Sequence, residues 1–110
     1  MRLYLPATLE LLREWYAAGS LPSSALDEAY QAPDDSEEGE YAALMSAADA
    51  STALSGRGGR RVVVVLDDAV GDVPLQRWAA VHADTEDRGP DDDPDDDLGW
   101  FAIPEIPELL

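Results

Sequence analysis

Residues 62–66 read Val-Val-Val-Val-Leu, and this run constrains the fold more than any other stretch of the chain. β-Branched side chains lose χ1 freedom against the preceding turn of a helix and pack well on a pleated strand. A strand with one face in water alternates apolar and polar residues. Val62–Leu66 does not alternate, so it reads as a strand covered on both faces or lying at the centre of a sheet.

The chain before this run is mostly helical in pattern. Arg2–Leu5 reads as a short first strand, with Pro6 expected to stop it. Thr8 is placed to cap a helix running to about Ala18, and Gly19 to end it. Leu9, Leu12 and Tyr16 form a stripe on that helix, with Leu11 and Trp15 beside it. Pro22-Ser23-Ser24 starts a second, shorter helix through Tyr30, closed by Pro33. Asp34–Glu40 leads into a third helix. Tyr41, Leu44, Met45, Ala48 and Thr52 fall at helical spacing there, and Gly56-Arg57-Gly58-Gly59 ends it.

After Leu66 the period becomes two. Asp68–Pro74 is expected as a loop and Arg77–Asp84 as a strand. The alternation sets Trp78, Ala80, His82 and Asp84 on one face, with Ala79, Val81 and Ala83 on the other. Leu98–Ile103 reads as a last strand, and Pro104 and Pro107 constrain the tail to an irregular segment or one helical turn. The order is β-α-α-α-β-β-β. The expectation is an α+β fold, one small domain over residues 1–110, with a mixed sheet of about four strands and helices on one face.

Charge limits function. The 110 residues hold 24 Asp and Glu against 7 Arg, with no Lys, for a formal net charge of −17. Such a chain lacks the cations that neutralise nucleic-acid phosphates or anionic lipid. The absence of Cys excludes disulfides, thiolate metal sites and a Cys nucleophile. No stretch reaches the ~18 apolar residues of a membrane span, and Glu10, Arg13 and Glu14 interrupt any signal-like segment, so a cytoplasmic location is expected. Residues 34–40 carry −5 and residues 84–97 carry −8, so 21 residues hold −13 of the total. The low-complexity part, residues 85–97, contains PDDD twice and is expected to be a mobile solvated loop within the domain.

Two chemical patterns fail on their own requirements. Val62–Leu66 followed by Asp67-Asp68 has the outline of a magnesium-binding strand end in a nucleotide site. Its companion phosphate loop ends in Lys-Ser or Lys-Thr, which a Lys-free chain lacks. Asp91, Asp93 and Asp95 imitate the opening of a calcium loop, but Asp96 stands where Gly is required and Ala102 where a bidentate Glu is required. Mimicry of DNA needs carboxylates fixed along rigid elements, whereas these cluster in predicted loops. His82, with Asp84 two residues on, is the one pairing with acid–base character. A single His is too few for an ordinary zinc site. No metal and no cofactor is implied.

The segment MRLYLPATLELL resembles the opening of an uncharacterised bacterial family from GC-rich genomes, a domain of unknown function whose members begin MR-V-Y-(V/L)-PATL. Glu40-Tyr41-Ala42-Ala43-Leu44 is similar to that family's EYAAL helix. Arg60-Arg61-Val62-Val63-Val64, Val73-Pro74-Leu75 and Ala80-Val81-His82-Ala83-Asp84 continue the likeness. Trp100-Phe101-Ala102, Glu105-Ile106-Pro107 and Leu109-Leu110 end it. This chain is shorter than the usual member, and Pro104 stands where the family more often has a polar residue. The resemblance brings no activity, substrate or cofactor. It directs attention to Tyr4, Tyr41, His82, Asp84, Trp100 and Glu105, the polar or aromatic positions in matching segments, as a binding face. The leading expectation is a non-catalytic interaction module for a protein partner, one of basic character. The alternatives are a small hydrolase-like or metal-dependent enzyme centred on His82, Asp84 and Glu105, and an acidic DNA mimic.

Overall fold

A computed structural model describes residues 1–55, 59–89 and 91–110. The glycine-rich end of the third predicted helix at residues 56–58, and Pro90 of the acidic segment, lie outside these. Strands β1 (Arg2–Ala7), β3 (Tyr30–Gln31), β4 (Val62–Asp67), β6 (Trp78–Ala83) and β7 (Gly99–Phe101) form one sheet in the order β3-β1-β4-β6-β7. Strands β2 (Ser20–Leu21) and β5 (Val73–Pro74) make a separate two-stranded ribbon. The α+β class is as expected, and β4 occupies the centre of the five-stranded sheet with Val62–Leu66 buried throughout.

Every pairing in the large sheet is antiparallel, so the mixed sheet expected from sequence is corrected. The cause is the two-residue strand β3, which sequence patterning assigned to a helix. The segment Ser23–Glu28 is a short 3₁₀ helix, and the chain then runs antiparallel to β1 at Tyr30–Gln31. The crossover passes from β3 over β1 to β4, carried by helix α2 (Glu37–Ser55). β3 and β4 are therefore co-directional, with β1 running oppositely between them.

The helices also occupy both faces of the sheet rather than one. Helix α1 (Leu9–Ala18) buries Leu12 and Trp15 against Leu5, Ala7, Val62, Val64, Leu66, Val81 and Ile106. Helix α2 covers Tyr4, Val63, Val65 and Ala80 on the opposite face. A central strand apolar at every position requires this, because one-sided packing would leave Val63 and Val65 in water. Helix α1 follows its sequence signals closely. The Thr8 side chain accepts from Leu11 N–H at 3.1 Å, and Gly19 ends the helix at φ 76°, where any other residue is strained.

Helix α2 buries the expected stripe only in part, at Ala48 with Leu44 packed beside it. Tyr41 is exposed and Thr52 faces away, whereas Gly39, Ala43, Ala47 and Ser51, four residues apart, are buried. Small residues let the helix lie close to the sheet. The Ser51 hydroxyl then reaches the strands, donating to the Ala7 carbonyl at 2.6 Å and accepting from Val62 N–H at 2.9 Å. Ala7 and Val62 are cross-strand partners, so a side chain from α2 bridges the end of the β1–β4 ladder.

Pro6 lies inside β1 opposite Val63 rather than stopping it. The alternation of the ladder explains why. Asp68 N–H donates to the Met1 carbonyl, so odd-numbered residues of β1 direct their peptide groups towards β4 and even-numbered ones away. The missing N–H of Pro6 thus falls on the outer side, beyond the reach of the short β3, where no donor is needed. Trp78 is a second displacement. A bulge where Leu66 pairs with Trp78 and Val65 with Ala80 turns Trp78 onto the α1 face, where its indole N–H donates to the Val73 carbonyl at 3.1 Å.

Candidate functional site

The six residues singled out by sequence do not converge. Tyr4 is 4 % exposed beneath α2, among Ala43, Ala47, Val63 and Val65, and belongs to the core. Glu105 accepts from Ala102 N–H at 2.9 Å and so closes the first turn of the C-terminal 3₁₀ helix, Ile103–Glu108. Asp84 is 8 % exposed and its carboxylate faces Arg61, not His82. Among the described residues, His82 has no hydrogen bond to any of the other five. The depression of about 180 Å3 at Asp84 is lined by Asp84–Arg88 and Asp92, and includes neither His82 nor Glu105. No group of three or more His, Asp and Glu among the described residues is placed to hold a metal ion.

Three of the six are not buried and lie on one side of the sheet, the side on which Tyr4 is buried. His82 and Trp100 are cross-strand partners on β6 and β7, in one row with Val63, and therefore project on the side that α2 covers. Tyr41 stands on the exposed flank of α2 and donates from its hydroxyl to Asp97 at 3.0 Å, which also raises its pKa through that hydrogen bond. Helix α2 packs on β3, β1 and β4, leaving the β6–β7 end of this face less covered. Trp100 there is 61 % exposed, against 8 % for Trp15 and 4 % for Trp78. His82 is half-buried beside it, and burial, with the charge of Arg2 as a lesser cause, pushes its pKa below the ordinary value.

Two arginines that sequence reasoning passed over organise the acidic segment. Arg61 is 2 % exposed and donates to Asp84 from Nε and Nη2, each at 2.8 Å, while its own backbone N–H donates to the same carboxylate at 2.8 Å. Burial acts to raise the Asp84 pKa, but the side-chain and backbone hydrogen bonds from Arg61 and the charges of Arg61 and Arg88 outweigh it, and the pKa is lowered. The remaining Arg61 nitrogen, Nη1, donates to the Pro94 carbonyl at 3.1 Å, across to the middle of the acidic segment. Arg88 adds an ion pair to Asp96 at 3.5 Å and donates to the Asp93 carbonyl. Within the segment, Asp92 accepts from Gly89 N–H and Asp93 from Asp95 N–H.

The acidic segment, exposed along 91–97, is not the free loop expected from composition: it is tied to the body of the protein at Arg61 and Tyr41 and braced within itself by Arg88. The signal lay in the strand ends rather than in the loop. Arg61 directly precedes the valine run and Asp84 directly follows β6, so antiparallel pairing of β4 and β6 sets them opposite each other. Leu98, at the end of the segment, packs against the Tyr4–Val63 cluster under α2. The site left by this arrangement is an exposed indole on an edge strand, with Asp91–Asp97 approaching along the same face.

No helix among the described residues is long and apolar enough to cross a membrane. No match to the chain is found among curated proteins or among solved structures. Residues 1–110 match the family of unknown function DUF6912 over their whole length, and the chain belongs to that family.

Proposed function

We propose that this protein is a non-catalytic binding module that takes a basic segment of a partner protein on the face formed by Trp100 and the acidic segment 91–97. The observation that carries this reading is the 61 % exposure of Trp100 beside a carboxylate-rich loop tied down by buried Arg61. An indole in water offers a face for the guanidinium or ammonium of a partner, worth about 0.5–2 kcal/mol per contact. The neighbouring aspartates draw such a partner in and set its orientation. The anchored loop loses less conformational freedom on binding than a free one. His82, Asp84 and Glu105 give an enzyme little support, because Asp84 and Glu105 are each engaged in holding the fold.

The test is direct. A blocked nine-residue peptide alternating arginine and valine is titrated into the protein, with a glutamate–valine peptide as control. Only the arginine peptide is expected to bind. Trp100→Ala weakens it at least fivefold, and replacing the aspartates of 91–97 by asparagine flattens its salt dependence. Equal binding of the acidic control, or no binding of the arginine peptide, refutes the reading.

A further inference from the structure

The register of the sheet specifies how such a segment would bind. Asp84 N–H donates to the Arg61 carbonyl at 3.0 Å. Even-numbered residues at this end of β6 therefore direct their peptide groups at β4, and Val81 and Ala83 direct theirs at β7. Their partners Phe101 and Gly99 point back at β6. Trp100, between them, turns its N–H and carbonyl outward. β7 is the last strand of the sheet, and among the described residues nothing bonds to the Trp100 peptide group on that outer side. One step further on, the edge is closed: Ala102 N–H is taken by Glu105 and the Ala102 carbonyl by Glu105 N–H. The open part of the edge thus runs from Trp100 back through Leu98, towards the acidic segment.

We infer that an extended Arg- or Lys-bearing segment of a partner adds as a sixth strand along β7, pairing its backbone with Trp100 and aligning alternate basic side chains with the indole and the aspartates of 91–97. The inference rests on the binding reading above and deepens it from a surface to a mode. Strand addition supplies main-chain hydrogen bonds, while alternate side chains supply specificity. A residue directly opposite Trp100 projects on the same face as the indole, so alternation places every second side chain of the added strand over Trp100 and the carboxylates. Charge selects the occupant. A second copy of this chain would bring another −17 and set two acidic segments side by side at the paired edges, whereas a basic strand neutralises them.

Amide hydrogen exchange of Trp100, followed by NMR with and without saturating arginine–valine peptide, decides the matter. Strand addition is expected to slow exchange at Trp100 at least tenfold. The same arginine–valine peptide N-methylated at every backbone nitrogen, which keeps every charge but lacks all N–H donors, should bind at least tenfold more weakly. If the arginine–valine peptide binds while Trp100 exchange is unchanged, or if the N-methylated peptide binds equally well, strand addition is overturned and the binding face stands. If no arginine peptide binds, the binding reading falls and strand addition falls with it.

Discussion

Replacing Asp84 by asparagine tests the reasoning about the Arg61 anchor most severely. The wild-type carboxylate receives three hydrogen bonds from Arg61, each at 2.8 Å. Asparagine keeps the shape but has one acceptor oxygen, and its amide group turns a donor towards a donor. The Arg61 cation, 2 % exposed, is then buried without a counter-charge. Breaking a buried pair from one side costs about 3–5 kcal/mol, a large fraction of the ~5–15 kcal/mol that holds a domain of this size together. Urea unfolding followed by circular dichroism should show a loss in that range for Asp84→Asn, and a similar loss for Arg61→Met. The double variant should recover part of it, because the orphaned charge is gone. The sign with pH follows. The Asp84 pKa is lower in the fold than in the open chain, so its stabilisation is present above an unfolded value of about 4 and is lost as pH falls through the folded value. Asp84→Asn lacks that portion of acid sensitivity. A cost below about 1 kcal/mol, the range of exposed pairs, would mean that the pair is solvated and would refute the account of the anchor.

Other outcomes follow from the same contacts. Arg61→Met also releases the Pro94 carbonyl, so trypsin should cut after Arg88 faster than in the wild type, resolved by mass spectrometry of timed digests; an unchanged rate would show that Arg61 does not hold the segment. Ser51→Ala removes two buried hydrogen bonds at the Ala7–Val62 end of the ladder, at about 0.5–1.5 kcal/mol each, read by chemical unfolding. Ala43→Leu forces a large side chain between α2 and the sheet, where Ala43 is buried, and should cost about 1–3 kcal/mol despite leucine's good helix propensity. The His82 pKa lies below the usual imidazole value, so its contribution to stability is present above about 6.5 and declines as pH falls from there towards the folded value. An NMR titration of the His82 ring should place its midpoint below that of a free histidine, and His82→Phe should abolish this step in the stability profile.

The parts legible in the sequence were those set by local chemistry. Thr8 and Gly19 mark α1 because a cap and a left-handed residue act within one turn, and Val62–Leu66 marks the central strand because burial on both faces leaves no polar position. The run also implied more than the one-face architecture allowed, since two covered faces require helices on both. What local chemistry does not carry is partnership. β3 is two residues long and has no period to detect; it is a strand only because β1 lies beside it. The stripe of Gly39, Ala43, Ala47 and Ser51 is inconspicuous beside Tyr41 and Leu44, and is chosen because α2 crosses directly over β1. The same holds for the candidate site. Asp84 was visible as a polar residue at a strand end, but its partner Arg61 is fixed only by the β4–β6 register. Glu105 was visible in a matching segment, and its role as a cap is decided by the 3₁₀ turn that follows.

Most of the arginines in reach of the acidic segment are already committed. Arg61 holds Asp84 and Pro94, Arg88 holds Asp96 and approaches Asp84, and Arg60 lies 3.5 Å from Asp87. Each of these contacts fixes a position on the segment, yet three arginines face nine carboxylates over residues 84–97. The anchor therefore holds like charges close together, a state whose self-repulsion ordinary composition would have dispersed into a free loop. Added salt screens that repulsion, so raising ionic strength should stabilise the free protein. A basic strand relieves the same repulsion by binding, so salt should weaken the complex while strengthening the unbound fold. These two responses have opposite signs and a common origin in the clustered aspartates. Replacing those aspartates with asparagine should reduce both together, whereas a loop that serves solubility alone would change only the first.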